Sequence, residues 1–67
     1  MEYKVREFLI AEPIFKGHSI EFTILSAITG KVICYDYDYD TKYDNCLIRG
    51  IIQDFYNTYH FDIYIIN

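Results

Sequence analysis

The chain has no tryptophan, one proline, three glycines and two cysteines among its 67 residues. So little proline and glycine excludes a collagen-like or linker chain, and a hydrophobic content of 52% excludes intrinsic disorder. Two cysteines, Cys34 and Cys46, are too few for the disulfide framework of a small secreted domain; in a reducing compartment they read as free thiols. Long apolar runs are missing as well. Residues 8–11, 32–35 and 63–66 are the longest, at four each, where a membrane span needs roughly 20. Positive charge is scarce: six basic against ten acidic residues give a net charge of −4 and a pI near 4.8, the wrong sign for neutralising phosphates. A soluble protein with no direct nucleic-acid and no membrane partner is expected. The opening Met1-Glu2-Tyr3-Lys4 lacks the cationic, apolar and small-residue order of an export signal, which points to the cytoplasm.

At this length the chain holds one core, so residues 1–67 form a single domain and a multidomain enzyme is excluded. A core so small is marginal, and self-association as a homodimer is expected to support it. Isoleucine, tyrosine, phenylalanine, lysine and asparagine all have AT-rich codons and supply nearly half of the chain. That bias fits an accessory protein of a bacterium or bacteriophage.

Hydrophobic periodicity outlines the elements. Residues 3–11 are rich in strand formers and end at Glu12-Pro13, where proline cannot donate to a ladder. Residues 18–26 alternate, with Ile20, Phe22 and Ile24 on one face and Glu21, Thr23 and Leu25 on the other. A turn at Thr29-Gly30 then leads into residues 32–38, because glycine takes positive φ at no steric cost. Face consistency predicts Ile24 opposite Tyr35 and Phe22 opposite Tyr37; shifting by one would set the Phe22 ring against the Asp36 carboxylate.

From Thr41 the spacing of Leu47, Ile48, Ile51, Ile52, Phe55 and Tyr59 predicts a helix, capped by Thr41 or Asp44 and ending near Asn57 or Thr58. Gly50 inside it suggests close packing. Residues 61–66 form a last strand whose second face, with Tyr64 and Ile66, is apolar, as suits a strand inside the sheet or at an interface. The expected fold is α+β: a four-stranded, mainly antiparallel sheet with one amphipathic helix on one face, in the order β-β-β-α-β. The turn Ile28-Thr29-Gly30-Lys31 resembles the first hairpin turn of ubiquitin-like β-grasp domains over those four residues, and hairpin, helix, strand is that family's opening order. No residue role is carried over.

The segment Tyr35-Asp36-Tyr37-Asp38-Tyr39-Asp40, followed by Asp44, stands out. On an extended strand Asp36, Asp38 and Asp40 would form a carboxylate row with neighbours about 6.8 Å apart, while the tyrosines line the other face. Such a row repels itself, and a basic partner surface would relieve the repulsion. Its spacing approaches that of successive DNA phosphates, so the row would imitate a nucleic-acid backbone, in the manner of small acidic phage inhibitors. The functional expectation is a protein-binding module or inhibitor, a DNA mimic whose partner is a protein with a basic surface, such as a nucleic-acid or defence enzyme. Asp36, Asp38, Asp40, Asp44, Glu21 and Tyr39 are its candidate binding residues. The alternative is a structural or homo-oligomer-forming protein whose acids serve solubility and blunt a sheet edge.

Neither a cofactor nor a metal is expected. Asp36, Asp38, Asp40 and Asp44 follow an EF-hand count at positions 1, 3, 5 and 9, but Thr41 stands where the sharp turn wants glycine and Leu47 where the bidentate glutamate belongs. Cys34, Cys46, His18 and His60 include no zinc-type pair. No glycine-rich phosphate loop and no local nucleophile signature is present, so an enzyme is not expected.

Overall fold

A computed structural model describes residues 3–11, 14–15 and 18–66. The elements run α1 (Val5–Ala11), β1 (Ile14–Phe15), β2 (His18–Ser19), β3 (Glu21–Ser26), β4 (Val32–Tyr35), two 3-10 turns (Asp36–Asp38 and Thr41–Tyr43), β5 (Leu47–Gln53) and β6 (His60–Ile66). β1 and β2 pair as a short antiparallel ribbon, and the other four strands make a sheet in the order β4-β3-β6-β5. The fold is thus α+β, with a four-stranded mixed sheet and one helix. No helix among the described residues is long and apolar enough to cross a membrane.

The helix stands at the start of the chain, not between the third and fourth strands. Residues 5–11 coil because Val5, Phe8 and Leu9 also satisfy a three-and-four spacing, and Glu7 fastens the first turn by accepting the Lys4 N–H at 3.0 Å. Only Lys4 keeps a trace of the expected strand, as a bridge to Leu47. The expected stop at Glu12-Pro13 lies outside the described residues. Because the helix precedes the hairpin, the β-grasp order is not followed and that resemblance ends at the turn.

The expected helix beyond Thr41 is replaced by β5 and a loop. Leu47, Ile48, Ile51 and Ile52 fit either period over so short a window, and two forces choose the strand. Gly50 would cost a helix about 1 kcal/mol relative to alanine, and β6 is apolar on both faces and takes a neighbour on each side. β5 supplies one of them, antiparallel from Leu47↔Ile66 to Gln53↔Phe61, with a register shift between Ile48 and Gly50. Close packing at Gly50 is not found: a Cβ there would meet nothing within 4 Å. Neither proposed cap starts a long helix. Asp40 accepts the Lys42 N–H at 2.9 Å to cap the second 3-10 turn, and Asp44 follows that turn.

β6 lies inside the sheet as expected, parallel to β3 on its other side from Glu21↔His60 to Ser26↔Ile65. Core residues follow from that position. Ile24, Ile63, Ile65 and Val5 are fully buried, joined by Phe8 and Cys34, and each large aliphatic side chain so buried contributes roughly 1.5–3 kcal/mol.

The hairpin forms where expected, with Gly30 at φ 75° and the Ser26 hydroxyl accepting the N–H groups of Ile28 and Thr29, each at 3.2 Å. Its register differs from expectation. Leu25 pairs with Val32, a shift follows, and Ile24 then faces Cys34 and Thr23 faces Tyr35. Tyr35 therefore shares a face with Thr23, opposite to Ile24. The feared burial of Asp36 beside Phe22 is avoided because the chain leaves the sheet after Tyr35, and the Phe22 ring packs edge-on against Tyr39 with centroids 5.7 Å apart.

Candidate protein-binding surface

Leaving the sheet at Tyr35 decides the geometry of the acidic segment. Asp36, Asp38 and Asp40 do not form a row on a strand. Asp38 folds back so that its Oδ1 accepts the Tyr35 N–H at 2.6 Å, closing the first 3-10 turn, while Asp40 caps the second. Part of the reason is local, since short aspartate side chains compete for nearby backbone N–H groups, which favours turns over ladders; the rest is the packing of Tyr39 against Phe22. Without the extended row, the phosphate-like spacing is lost, and any affinity for a basic surface rests on charge and aromatic exposure.

The two turns are anchored from below by Tyr39. Its hydroxyl donates to Asp44 Oδ1 at 2.5 Å, and its ring lies between Phe22 and Tyr43, 6.4 Å from the latter. Burial, and then the bond to the Asp44 carboxylate, push the Tyr39 phenol well above its ordinary value. Asp44 is tied to the helix as well, since its carbonyl accepts the Arg6 N–H at 3.0 Å. Tyr39 and Asp44 thus serve as the mount of this surface; both are half-buried and committed to each other.

Above the mount, Asp38 and Asp40 are exposed and Asp36 is half-buried. Glu21, exposed at the start of β3, lies on the strand that packs against the first turn. Tyr37 is 82% exposed, and its ring stacks on that of Tyr35 at 5.4 Å and 3°. The expected tyrosine face is therefore divided, with Tyr39 turned inward and Tyr35 and Tyr37 outward. Among the described residues the only ion pair joins His60 to Asp62, and none of their cations pairs with these acids. Lys42, in the same segment, sits 5.2 Å from the Tyr43 ring centre.

A polar cluster without any signature in local spacing lies on the sheet face shared by Thr23 and Tyr35. His60 Nε2 is 3.0 Å from Thr23 Oγ1 and 3.2 Å from Asp62 Oδ1. Parallel pairing of β3 with β6 sets Thr23 beside Asp62. Hydroxyl and carboxylate both meet the same ring nitrogen, whereas a proton relay needs them on opposite ones. The arrangement orients the ring and does not build a nucleophile.

Phe55 and Tyr56, 88% and 94% exposed, form a second prominent feature. Phe55 was expected on the buried stripe of a helix; it stands instead in a turn where Asp54 Oδ1 accepts the N–H groups of Tyr56 and Asn57 at 2.7 and 3.2 Å. The spacing of Asp54 and Asn57 around two aromatics is the turn signal that could have shown this. Cys34 is buried, and burial followed by the nearby Asp38 charge raises its thiol pKa, so it is held in the protonated form. Both cysteines are free, and among the described residues no group of three or more His, Cys, Asp or Glu is placed to hold a metal. The chain matches no family model, no curated protein and no solved structure.

Proposed function

We propose that the protein is a small acidic protein-binding module whose two 3-10 turns dock on a basic surface of another protein. The observation that carries this reading is the grouping of Asp36, Asp38 and Asp40, unpaired with any cation among the described residues, around the exposed and stacked rings of Tyr35 and Tyr37. Charge would steer encounter and make it salt-sensitive, and the two rings would supply affinity once desolvated. Tyr37 takes the role first expected of Tyr39, because the Tyr39 hydroxyl and ring are already engaged. A basic nucleic-acid-binding enzyme suits such a surface through charge, and imitation of a phosphate row is not required.

Affinity capture from host lysate at low and high salt would test the proposal, comparing the natural chain with D36N/D38N/D40N and with Tyr37→Ala. Asparagine keeps the oxygens that cap both turns, so the triple variant should stay folded while partner retention falls sharply and loses its salt dependence. Retention of the same partner by both variants would refute the reading.

A further inference from the structure

The sheet has two outer strands, β4 and β5, and they differ in what they offer to another strand. β4 has four residues and carries a register shift in its middle, so no more than two consecutive positions are regular. Such irregularity blunts an edge. β5 runs regularly from Gly50 to Gln53, and Asp54 continues the register by donating its N–H to the His60 carbonyl at 2.9 Å. The outer side of its first two residues is taken, since Lys4 bridges to Leu47 and the Ile48 N–H donates to the Tyr3 carbonyl at 2.7 Å. Among the described residues the open length therefore starts after Ile48.

Along an antiparallel ladder, alternate residues direct both backbone groups to the same neighbour. Asp54 faces β6, so Ile52 and Gly50 do too, and Ile51 and Gln53 direct their N–H and C=O groups to the outer side, where no other described strand pairs. The side chains on this edge have a polarity of their own. Arg49 stands at its start and Asp54 just past its end, with Gly50, Ile51, Ile52 and Gln53 uncharged between them. Ile51 and Ile52 are 37% and 56% exposed, and the uncovered Phe55 ring follows. Antiparallel pairing of this edge with itself sets the basic end of each strand against the acidic end of the other, which is charge complementarity at both ends from one sequence.

We propose that β5 pairs antiparallel with β5 of a second copy of this chain around a two-fold axis at Ile52, joining two four-stranded sheets into one. In this register Ile51 and the partner's Gln53 exchange reciprocal N–H to C=O bonds, as do Gln53 and the partner's Ile51. Ile52 meets its own counterpart on the axis, and Arg49 lies against the partner's Phe55, beside the partner's Asp54, where a guanidinium gains from both ring and carboxylate. An axis at Ile51 would instead draw Arg49, at the ladder irregularity, into the pairing. The first acidic turn follows β4, at the other side of the sheet, and the second leads into β5 at Leu47, before the paired residues 49–55, so the pairing leaves both of them free and makes the proposed binding module bivalent. The inference stands on a different surface and does not depend on that function.

Light scattering across a concentration series tests it, with Ile52→Lys and Ile52→Glu as variants and thermal melts by circular dichroism to confirm that each folds. The natural chain should approach twice 8.1 kDa at high micromolar concentration. Each variant alone should remain single, because like charges meet on the axis, and an equimolar mixture should recover the doubled mass through Lys-Glu pairing. Amide hydrogen exchange on the natural chain gives an arm independent of any variant: Ile51 and Gln53 should gain protection as concentration rises. A single-chain mass at every concentration, a dimer that persists in Ile52→Lys, or amides of Ile51 and Gln53 that exchange equally fast in the dimer would overturn the proposal. Association of the edge with an extended peptide but not with a second copy would overturn it too, by assigning the edge another occupant.

Discussion

Replacing Tyr39 by phenylalanine removes a single oxygen and tests how the acidic turns are held. The hydroxyl donates to Asp44 Oδ1 at 2.5 Å, and a hydrogen bond to a charged acceptor is worth about 1.5–3 kcal/mol. Both residues are half-buried, so water replaces part of the lost bond and a cost of about 1 kcal/mol is expected. For a domain of this size that lowers Tm by roughly 4–8 °C.

The pH dependence gives a sharper signature. Folding raises the Tyr39 pKa above its ordinary value of 10.0, chiefly through burial and then through Asp44. Below pH 10 the phenol is protonated in both states and its contribution is fully present. Above that, the unfolded chain loses the proton while the folded one retains it, and the contribution fades as pH rises toward the folded pKa. Denaturant melts of the natural chain and Tyr39→Phe from pH 7 to pH 11 should show the natural chain losing stability faster above pH 10, so that the two converge. The other seven tyrosines are common to both proteins, so whatever they contribute cancels in the difference. Equal stability at pH 7 together with parallel alkaline profiles would refute the assignment of Tyr39 and Asp44 as the mount of the turns.

Core and backbone positions give further expectations. Ile63, fully buried at the centre of the sheet, should cost about 2–5 kcal/mol as alanine and roughly 0.5–1.5 as valine by denaturant titration; an alanine variant as stable as the natural chain would contradict its place in the core. Gly30→Ala should destabilise by about 1 kcal/mol, since φ there is 75°, whereas Gly50→Ala should fall within about 0.5 kcal/mol of the natural chain because space is open at its Cβ. Thiol alkylation of the folded protein should modify the half-buried Cys46 before the buried Cys34, read by mass spectrometry of the digested chain, and equal rates would show that Cys34 is accessible.

Local chemistry settled the parts that short-range rules govern. Thr29-Gly30 specified the hairpin turn because one residue had to take a positive φ, and residues 61–66 declared a strand inside the sheet through apolar side chains on both faces. The alternation of aspartate with tyrosine in residues 35–40 announced an acidic surface, and charge depends on composition alone. What composition could not decide was which segments coil. Residues 5–11 and 47–53 each carry apolar side chains that satisfy both periods, and the choice came from partners distant in the chain. β6 took β5 as its second neighbour, and the sheet's core face took Val5 and Phe8 of the helix. The same tertiary competition ended β4 at Tyr35, because Asp38 and Asp40 could satisfy backbone N–H groups in 3-10 turns while Tyr39 turned inward onto Phe22 and Asp44. Side-chain alternation fixes faces only while the chain stays in the sheet, and where it leaves depends on contacts that form only when the whole chain has folded.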